Sequence, residues 1–287
     1  MGFFSGRNAP THTESQAPSC PNPRLSAILT KLKANHSGNT VVHKFFGLLR
    51  ASLFNLGLWL ILLAYVPIIG IVALTPAPLR YRLMRPWNWM AVHWLRMTCG
   101  VRWKIEGELP QDGLGGVVLA KHQSTWETFI FPVLFDGPAF VLKRELMRLP
   151  IFGWGLAVNQ PIAIDRSAGR DALRQLLEQG AERLKQGRWV IIFPEGTRTA
   201  VGERGKYKPG GALLATQNGA RILPIAHNAG CAWPRGSFIK TPMTITLRIG
   251  PLIETEGRKA SDINAEVEQW IESQMATLPC PSKDTSK

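Results

Sequence analysis

The sequence predicts an α/β domain, a mostly parallel mixed sheet flanked by helices, behind an N-terminal membrane-inserted helical segment. Three observations predict it. Residues 51–74 are almost wholly apolar, which suits a bilayer and not water. After residue 100 short apolar runs recur, several of them continuous like a strand covered on both faces. Helical stripes lie between those runs, and strands alternating with helices build parallel sheets.

The elements follow in chain order. Residues 1–40 are rich in Pro, Ser, Thr, Asn and Gly with few large apolar groups, so a disordered N-terminal tail is expected. No apolar core follows the first residues, so no signal peptide is expected. Gly6 stands where a myristoylation motif needs Ser or Thr. Residues 41–99 are expected to form membrane-inserted and interfacial helices. From Ala51 to Leu74, Asn55 is the one strongly polar side chain. Pro67 near the middle leaves two forms open, a kinked span or a hairpin that dips in and returns. Lys31, Lys33, Lys44 and Arg50 precede the run, and Arg80, Arg82, Arg85, Arg96 and Arg102 follow it. Basic flanks on both sides favour re-entrant or monotopic insertion, with both ends on an anionic cytosolic leaflet. Residues 85–97 mix Trp, Met and Leu with Arg and His. That pattern suits an interfacial helix and equally an amphipathic helix docked on a core.

Residues 100–277 are expected to form the α/β domain. Its candidate strands are Val101–Ile105, Gly116–Ala120, Ala139–Leu142, Pro161–Ile164, Trp189–Phe193, Arg221–Ile225 and Met243–Ile249. Between Asp171 and Lys185, the residues Leu173, Leu176, Leu177, Ala181 and Leu184 form one helical stripe, and Gly187 suits its stop. Residues 262–275 repeat the device with Ile263, Val267, Trp270 and Ile271. Residues 278–287 are expected to be a flexible C-terminal tail. In such sheets, sites gather where strands give way to loops and helix starts.

The net charge of +14 over 287 residues calls for an anionic partner: phospholipid, nucleic acid or a phosphorylated substrate. Cys20, Cys99, Cys231 and Cys280 are scattered without metal-ligand spacing. They are expected to be reduced, as in a cytosol-facing protein. The histidines are too dispersed for a metal site. No G-x-G-x-x-G precedes a helix and no G-x-x-x-x-G-K occurs, so neither a dinucleotide nor ATP hydrolysis is expected.

Two short stretches carry the chemistry: His122-Gln-Ser-Thr-Trp-Glu127 and Phe193-Pro-Glu-Gly-Thr-Arg198. On one helix His122 and Glu127 would lie about 140° apart. With His122 in a loop and Glu127 in the first helical turn, the carboxylate folds back to the imidazole. It then fixes the tautomer and raises the basicity of the free nitrogen, giving a general base. Ser124-x-x-Glu127 is also a capping box, and the local sequence leaves both roles open. Ser124 lacks the elbow motif of a nucleophile. In Phe193–Arg198, Pro194 and Gly196 suit a tight turn, and the Arg198 guanidinium matches phosphate. A surface turn with a Glu–Arg pair would look the same. Lys206, Lys208 and Pro209–Gly211 follow it, and Lys143, Arg144 and Arg148 form a further cationic run.

With these residues in view the chain resembles the lysophospholipid acyltransferase family, in particular the bacterial 1-acylglycerol-3-phosphate acyltransferases. The family's four ordered blocks correspond to His122 with Glu127, Ile164-Asp165-Arg166, Phe193 to Arg198, and Leu223-Pro224-Ile225. The segment Lys143-x-Glu145-Leu146 with Pro150 and Gly153 also looks like the family's. The resemblance covers roughly residues 85–255. One departure is Glu127, where the family usually has Asp, and the added methylene moves the carboxylate by about 1 Å or more.

The resemblance implies a glycerol-3-phosphate acyltransferase-like fold and acyl transfer without a covalent enzyme intermediate. His122, oriented by Glu127, would deprotonate the hydroxyl of lysophosphatidic acid for attack on an acyl-CoA or acyl carrier protein thioester. Arg198, with Lys143 and Arg166, would hold the phosphate. Glu195 would position the acceptor or Arg198, and Gly196 and Thr197 complete the binding turn. No cofactor, metal or nucleic acid is implied. The expected place is the inner membrane, catalytic domain toward the cytoplasm. Another lysolipid acceptor, a thioester hydrolase and a non-enzymatic basic membrane-binding protein are the alternatives.

Overall fold

The computed structural model describes residues 23–281. Residues 1–22 of the expected N-terminal tail, and 282–287 of the expected C-terminal one, lie outside the described residues. Helix α1 runs Pro23–Ala73, so 23–40 is helical where a disordered tail was expected. From Lys44 to Ala73 this helix is long and apolar enough to cross a membrane. Pro67 lies inside it. The chain reverses at Thr75 and Pro76 instead, where Arg80 Nε donates to Thr75 O at 2.8 Å, and continues as α2 (Ala77–Cys99).

The two helices pair. Trp94 Nε1 donates to the Phe54 carbonyl at 3.2 Å, and Tyr65, Ile69 and Val72 pack with Met84. Gly57 permits that approach, because a Cβ there would stand 2.1 Å from Trp94 Nε1. The inner face of α2 is buried through Ala91, Val92 and Leu95, so this helix docks on the core.

The sheet then forms: β1 (Arg102–Glu106), β2 (Gly116–Ala120), β3 (Ala139–Lys143), β4 (Ile162–Ile164), β5 (Trp189–Ile192), β6 (Ile222–His227) and β7 (Thr244–Ile249). Its order is β1-β7-β6-β2-β5-β3-β4. Every named strand pair is parallel except β6 with β7. All seven expected strands are present, displaced by a residue or two at their ends. The helices that follow β1 are α3 (Trp126–Leu134), α4 (Phe152–Val158), α5 (Arg170–Lys185), α6 (Gly210–Gln217), α7 (Ala229–Ala232) and α8 (Ala260–Met275), with a short 3-10 helix at Arg144–Arg148.

Strand alternation divides the core into two layers. Val118, Ala120, Ile191, Leu223 and Leu247 face α2 and α3. Val117, Leu119, Val190 and Ile192 face Leu176 of α5, Leu214 of α6 and Ile263, Val267 and Ile271 of α8. Parallel pairing puts the carboxyl ends of β2 to β6 on one edge of the sheet, and the loops there carry both chemical motifs.

Two of the four cysteines differ from expectation, and Cys20 lies outside the described residues. Cys231 and Cys280 form a disulfide with their Cα atoms 5.7 Å apart, and Cys99 is free and buried. The bond ties α7 to the chain after α8, where Leu278 is also buried. The expected tail is therefore held at its start.

Candidate active site

His122 lies in the loop after β2, and its imidazole stacks on Phe193 with centroids 3.9 Å apart. Nδ1 is 2.7 Å from Glu127 Oε2. The other oxygen of Glu127 accepts the N–H groups of Gln123 at 2.9 Å and Ser124 at 2.6 Å. The carboxylate therefore does both things the local sequence left open. Oε1 satisfies backbone N–H groups at the start of α3, and Oε2 orients the imidazole. Glu127 is fully buried, while the His122 side chain keeps 15% exposure. With Nδ1 taken, Nε2 is the ring nitrogen left for the cavity that His122 lines.

The backbone of His122 is fixed from the other motif. Its N–H donates to Glu195 Oε2 at 2.8 Å. Its carbonyl accepts Thr199 N–H at 2.8 Å and Thr199 Oγ1 at 3.2 Å. Glu195 thus ties the two motifs together. Its buried carboxylate also meets Lys121 Nζ at 2.7 Å and Thr199 Oγ1 at 3.1 Å, so it holds the loop that carries His122. Lys121, 1% exposed, reaches Glu272 as well, at 2.9 Å. Tyr207 donates to that same Glu272 oxygen at 2.9 Å, and burial with the neighbouring Glu272 carboxylate pushes its hydroxyl pKa well up.

A cavity of about 700 Å³ opens beside His122. Four cationic side chains line it: Lys143, Arg166, Arg198 and Arg235. Arg198 Nη1 donates to Thr125 Oγ1 at 3.0 Å. Arg166 Nη1 donates to the Gly196 carbonyl at 2.6 Å, so the second and third sequence blocks meet here. Gly196 has φ +70°, a turn conformation that favours glycine. Thr197 is exposed at the cavity wall. Lys143 is exposed and 3.2 Å from Glu145. The remaining walls are mostly apolar, with Leu62 and Ile69 from α1, Met84 from α2, Phe140 from β3, and Phe152 and Leu156 from α4, and Asn88, Thr128 and Asn159 among them. Among the described residues no cluster of His, Cys, Asp and Glu could hold a metal ion.

Sequence reasoning did not single out Arg235, Thr125, Lys121 or His227. Arg235 reaches Thr197 Oγ1 at 3.4 Å and the Arg198 carbonyl at 3.2 Å from the loop before β7, and nothing local marks it. Lys121 did carry a signal, a lysine closing an apolar strand, which stays buried only with a partner.

A family model described as Acyltransferase matches residues 102–228. A curated 1-acyl-sn-glycerol-3-phosphate acyltransferase of Pseudomonas aeruginosa is 45% identical over 214 residues, which span 72% of this chain and 82% of the relative. The chain belongs to the acyltransferase family. The 1-acyl-sn-glycerol-3-phosphate acyltransferase of Saccharomyces cerevisiae is 30% identical over 46% of this chain and 45% of its own length. The crystal structure of the 1-acyl-sn-glycerophosphate acyltransferase from Thermotoga maritima shares the fold. Its TM-score is 0.66 at 23% identity, covering 79% of this chain and 95% of that one. In the acyltransferase, the matched region runs from β1 to the residue after β6 and contains His122, Glu127 and the whole Phe193–Arg198 turn.

Proposed function

We propose that this acyltransferase moves a fatty acyl group from a thioester donor, acyl-CoA or acyl carrier protein, to the sn-2 hydroxyl of lysophosphatidic acid, giving phosphatidic acid. The observation that carries this is the cavity: a carboxylate-oriented imidazole, a cationic wall and an apolar wall share one space. His122 Nε2 takes the proton of the acceptor hydroxyl, whose oxygen attacks the thioester carbonyl. The tetrahedral intermediate collapses, the C–S bond breaks, and the imidazolium returns its proton to the departing thiolate. Arg198, Arg166 and Lys143 hold the phosphate, and the acceptor's own acyl chain lies along Leu62, Ile69 and Met84. Gly196 and Thr197 shape the turn that carries Arg198.

The same proposal puts the enzyme on the inner membrane, inserted through α1 and facing the cytoplasm. The apolar face of α1, with Trp59, Leu60, Leu63 and Ile71 exposed, supports insertion. The pairing of α1 with α2 favours a hairpin in one leaflet over a single span. The disulfide removes the cysteine argument for the cytoplasmic side, which then rests on the basic residues that flank the apolar run.

Product analysis over a panel of acceptors tests the proposal. Phosphatidic acid should form from lysophosphatidic acid, with one thiol released per product. Arg198→Ala should raise KM for that acceptor about 10- to 100-fold, the worth of a charge-assisted contact. Activity confined to acceptors without a phosphate monoester, or thiol release that needs no acceptor, would overturn it.

A further inference from the structure

His227 ends β6 and is fully buried, yet no step of acyl transfer employs it. β6 pairs in parallel with β2 through Ala120 and Ile225, so two residues on His227 stands level with His122. Its Nε2 is 2.8 Å from the Lys121 carbonyl and 3.4 Å from Glu127 Oε1. Its Nδ1 accepts the Ala229 N–H at 3.3 Å. An Nδ1 that accepts leaves the single proton on Nε2, which is the neutral tautomer. Glu127 of α3, Glu195 of the turn after β5, and His122 with Lys121 of the loop after β2 are the titratable groups around it. The Trp126 ring meets it edge-on at 6.2 Å.

We propose that His227 is a positioning residue for the base: its Nε2–H, given to the Lys121 carbonyl, holds the peptide carrying His122 and faces the Glu127 oxygen that His122 leaves free. The inference rests on His122 acting as the base. The 121–122 peptide is then fixed at both ends, at its carbonyl by His227 and at its N–H by Glu195 Oε2. The His122 carbonyl is fixed in turn by Thr199. His227 is the one of these holders that also faces the acid. It therefore sets the loop and the carboxylate relative to each other, and with them the 2.7 Å contact between Nδ1 and Oε2.

The test compares His227→Leu, His227→Gln and His122→Ala in the full-length enzyme, each checked by thermal melting. Gln retains an amide N–H near the position of Nε2, whereas Leu retains no donor. His227→Leu should lower kcat about 10- to 100-fold, as a base displaced by about 1 Å does, with both KM values within about twofold. His227→Gln should recover most of that loss. A folded His227→Leu enzyme with wild-type kcat, a rise in KM alone, or a Gln variant no better than Leu would overturn the proposal. If His227→Leu does not fold, His227→Asn takes its place, since its shorter amide falls short of the Lys121 carbonyl. An active His122→Ala enzyme would sink the base assignment itself, whatever the His227 variants do.

Discussion

Replacing Glu127 with Gln separates the two tasks that its carboxylate performs. Gln retains one carbonyl oxygen, which can still accept the Gln123 and Ser124 N–H groups now 2.9 and 2.6 Å from Oε1. The start of α3 should therefore survive. The amide NH2 would replace Oε2, 2.7 Å from His122 Nδ1. A donor in that place makes Nδ1 the acceptor and moves the ring proton to Nε2, the nitrogen that takes the substrate proton in the proposed reaction. The charge is lost as well. At 2.7 Å and an effective dielectric constant of about 20, Coulomb's law gives roughly 6 kcal/mol of gross stabilisation for an imidazolium. Part of that is offset by desolvation, so the expected loss in kcat is about 10³-fold. The assay is thiol release from an acyl-CoA at saturating acceptor, beside a urea unfolding curve. Stability should change by less than about 1.5 kcal/mol, one charged hydrogen bond exchanged for a neutral one. Glu127→Ala should lose activity and stability together, because two backbone N–H groups lose their acceptor. A Gln variant with kcat within threefold of wild type would refute the dyad and leave Glu127 a helix cap alone.

Two further outcomes follow from the buried charges. Glu195→Gln removes one of the two carboxylates that hold the Lys121 ammonium and should cost about 3 kcal/mol in urea unfolding, within the range for a broken buried ion pair; a loss under about 1 kcal/mol would contradict the buried pairing. Burial holds the pKa of His227 below its usual 6.5, so the unfolded chain takes up a proton before the native one does. Its share of stability is present above about pH 6.5 and lost as pH falls toward the depressed native value, with a slope of at most about 1.4 kcal/mol per pH unit. Between pH 7 and 5.5 the stability of His227→Gln should fall less steeply than that of wild type, and equal slopes would mean that His227 protonates freely in the native state.

The sheet was legible because a strand buried on both faces leaves a run such as Trp189–Ile192 that suits no exposed element. The stripes of α5 and α8 were legible for the same physical reason, one apolar face against the sheet. The segment 144–158 was not. Its 3-10 turn and the seven residues of α4 are too short for a period to show. The dyad was half legible. Spacing showed that Glu127 reaches either the helix start or the imidazole, but not that a carboxylate with two oxygens serves both. His227, Arg235 and the Cys231–Cys280 pair had no local signal, because strand register and chain reversal bring the first two to the site and the two cysteines to each other. The disulfide partners lie 49 residues apart, and only the folded chain places them within bonding distance.

The acid's extra methylene makes sense against this framework. The longer side chain starts from the first turn of α3 and folds back over the loop, where Oε1 meets two successive backbone N–H groups and Oε2 meets the ring. A longer arm has an additional torsion to restrain, and a freely rotating carboxylate would spend little time on Nδ1. Complete burial and the two N–H groups remove that freedom. The loop it grips is no freer, since Glu195, Thr199 and His227 hold it from two other strand ends. Lys121 extends the network inward: its ammonium binds Glu195, and through Glu272 it links the loop to α8. An imidazole fixed on this many sides would need little reorganisation in the proposed proton transfer. Substitution of a buried partner such as Lys121 should therefore register at His122 even though that partner lines no part of the substrate cavity.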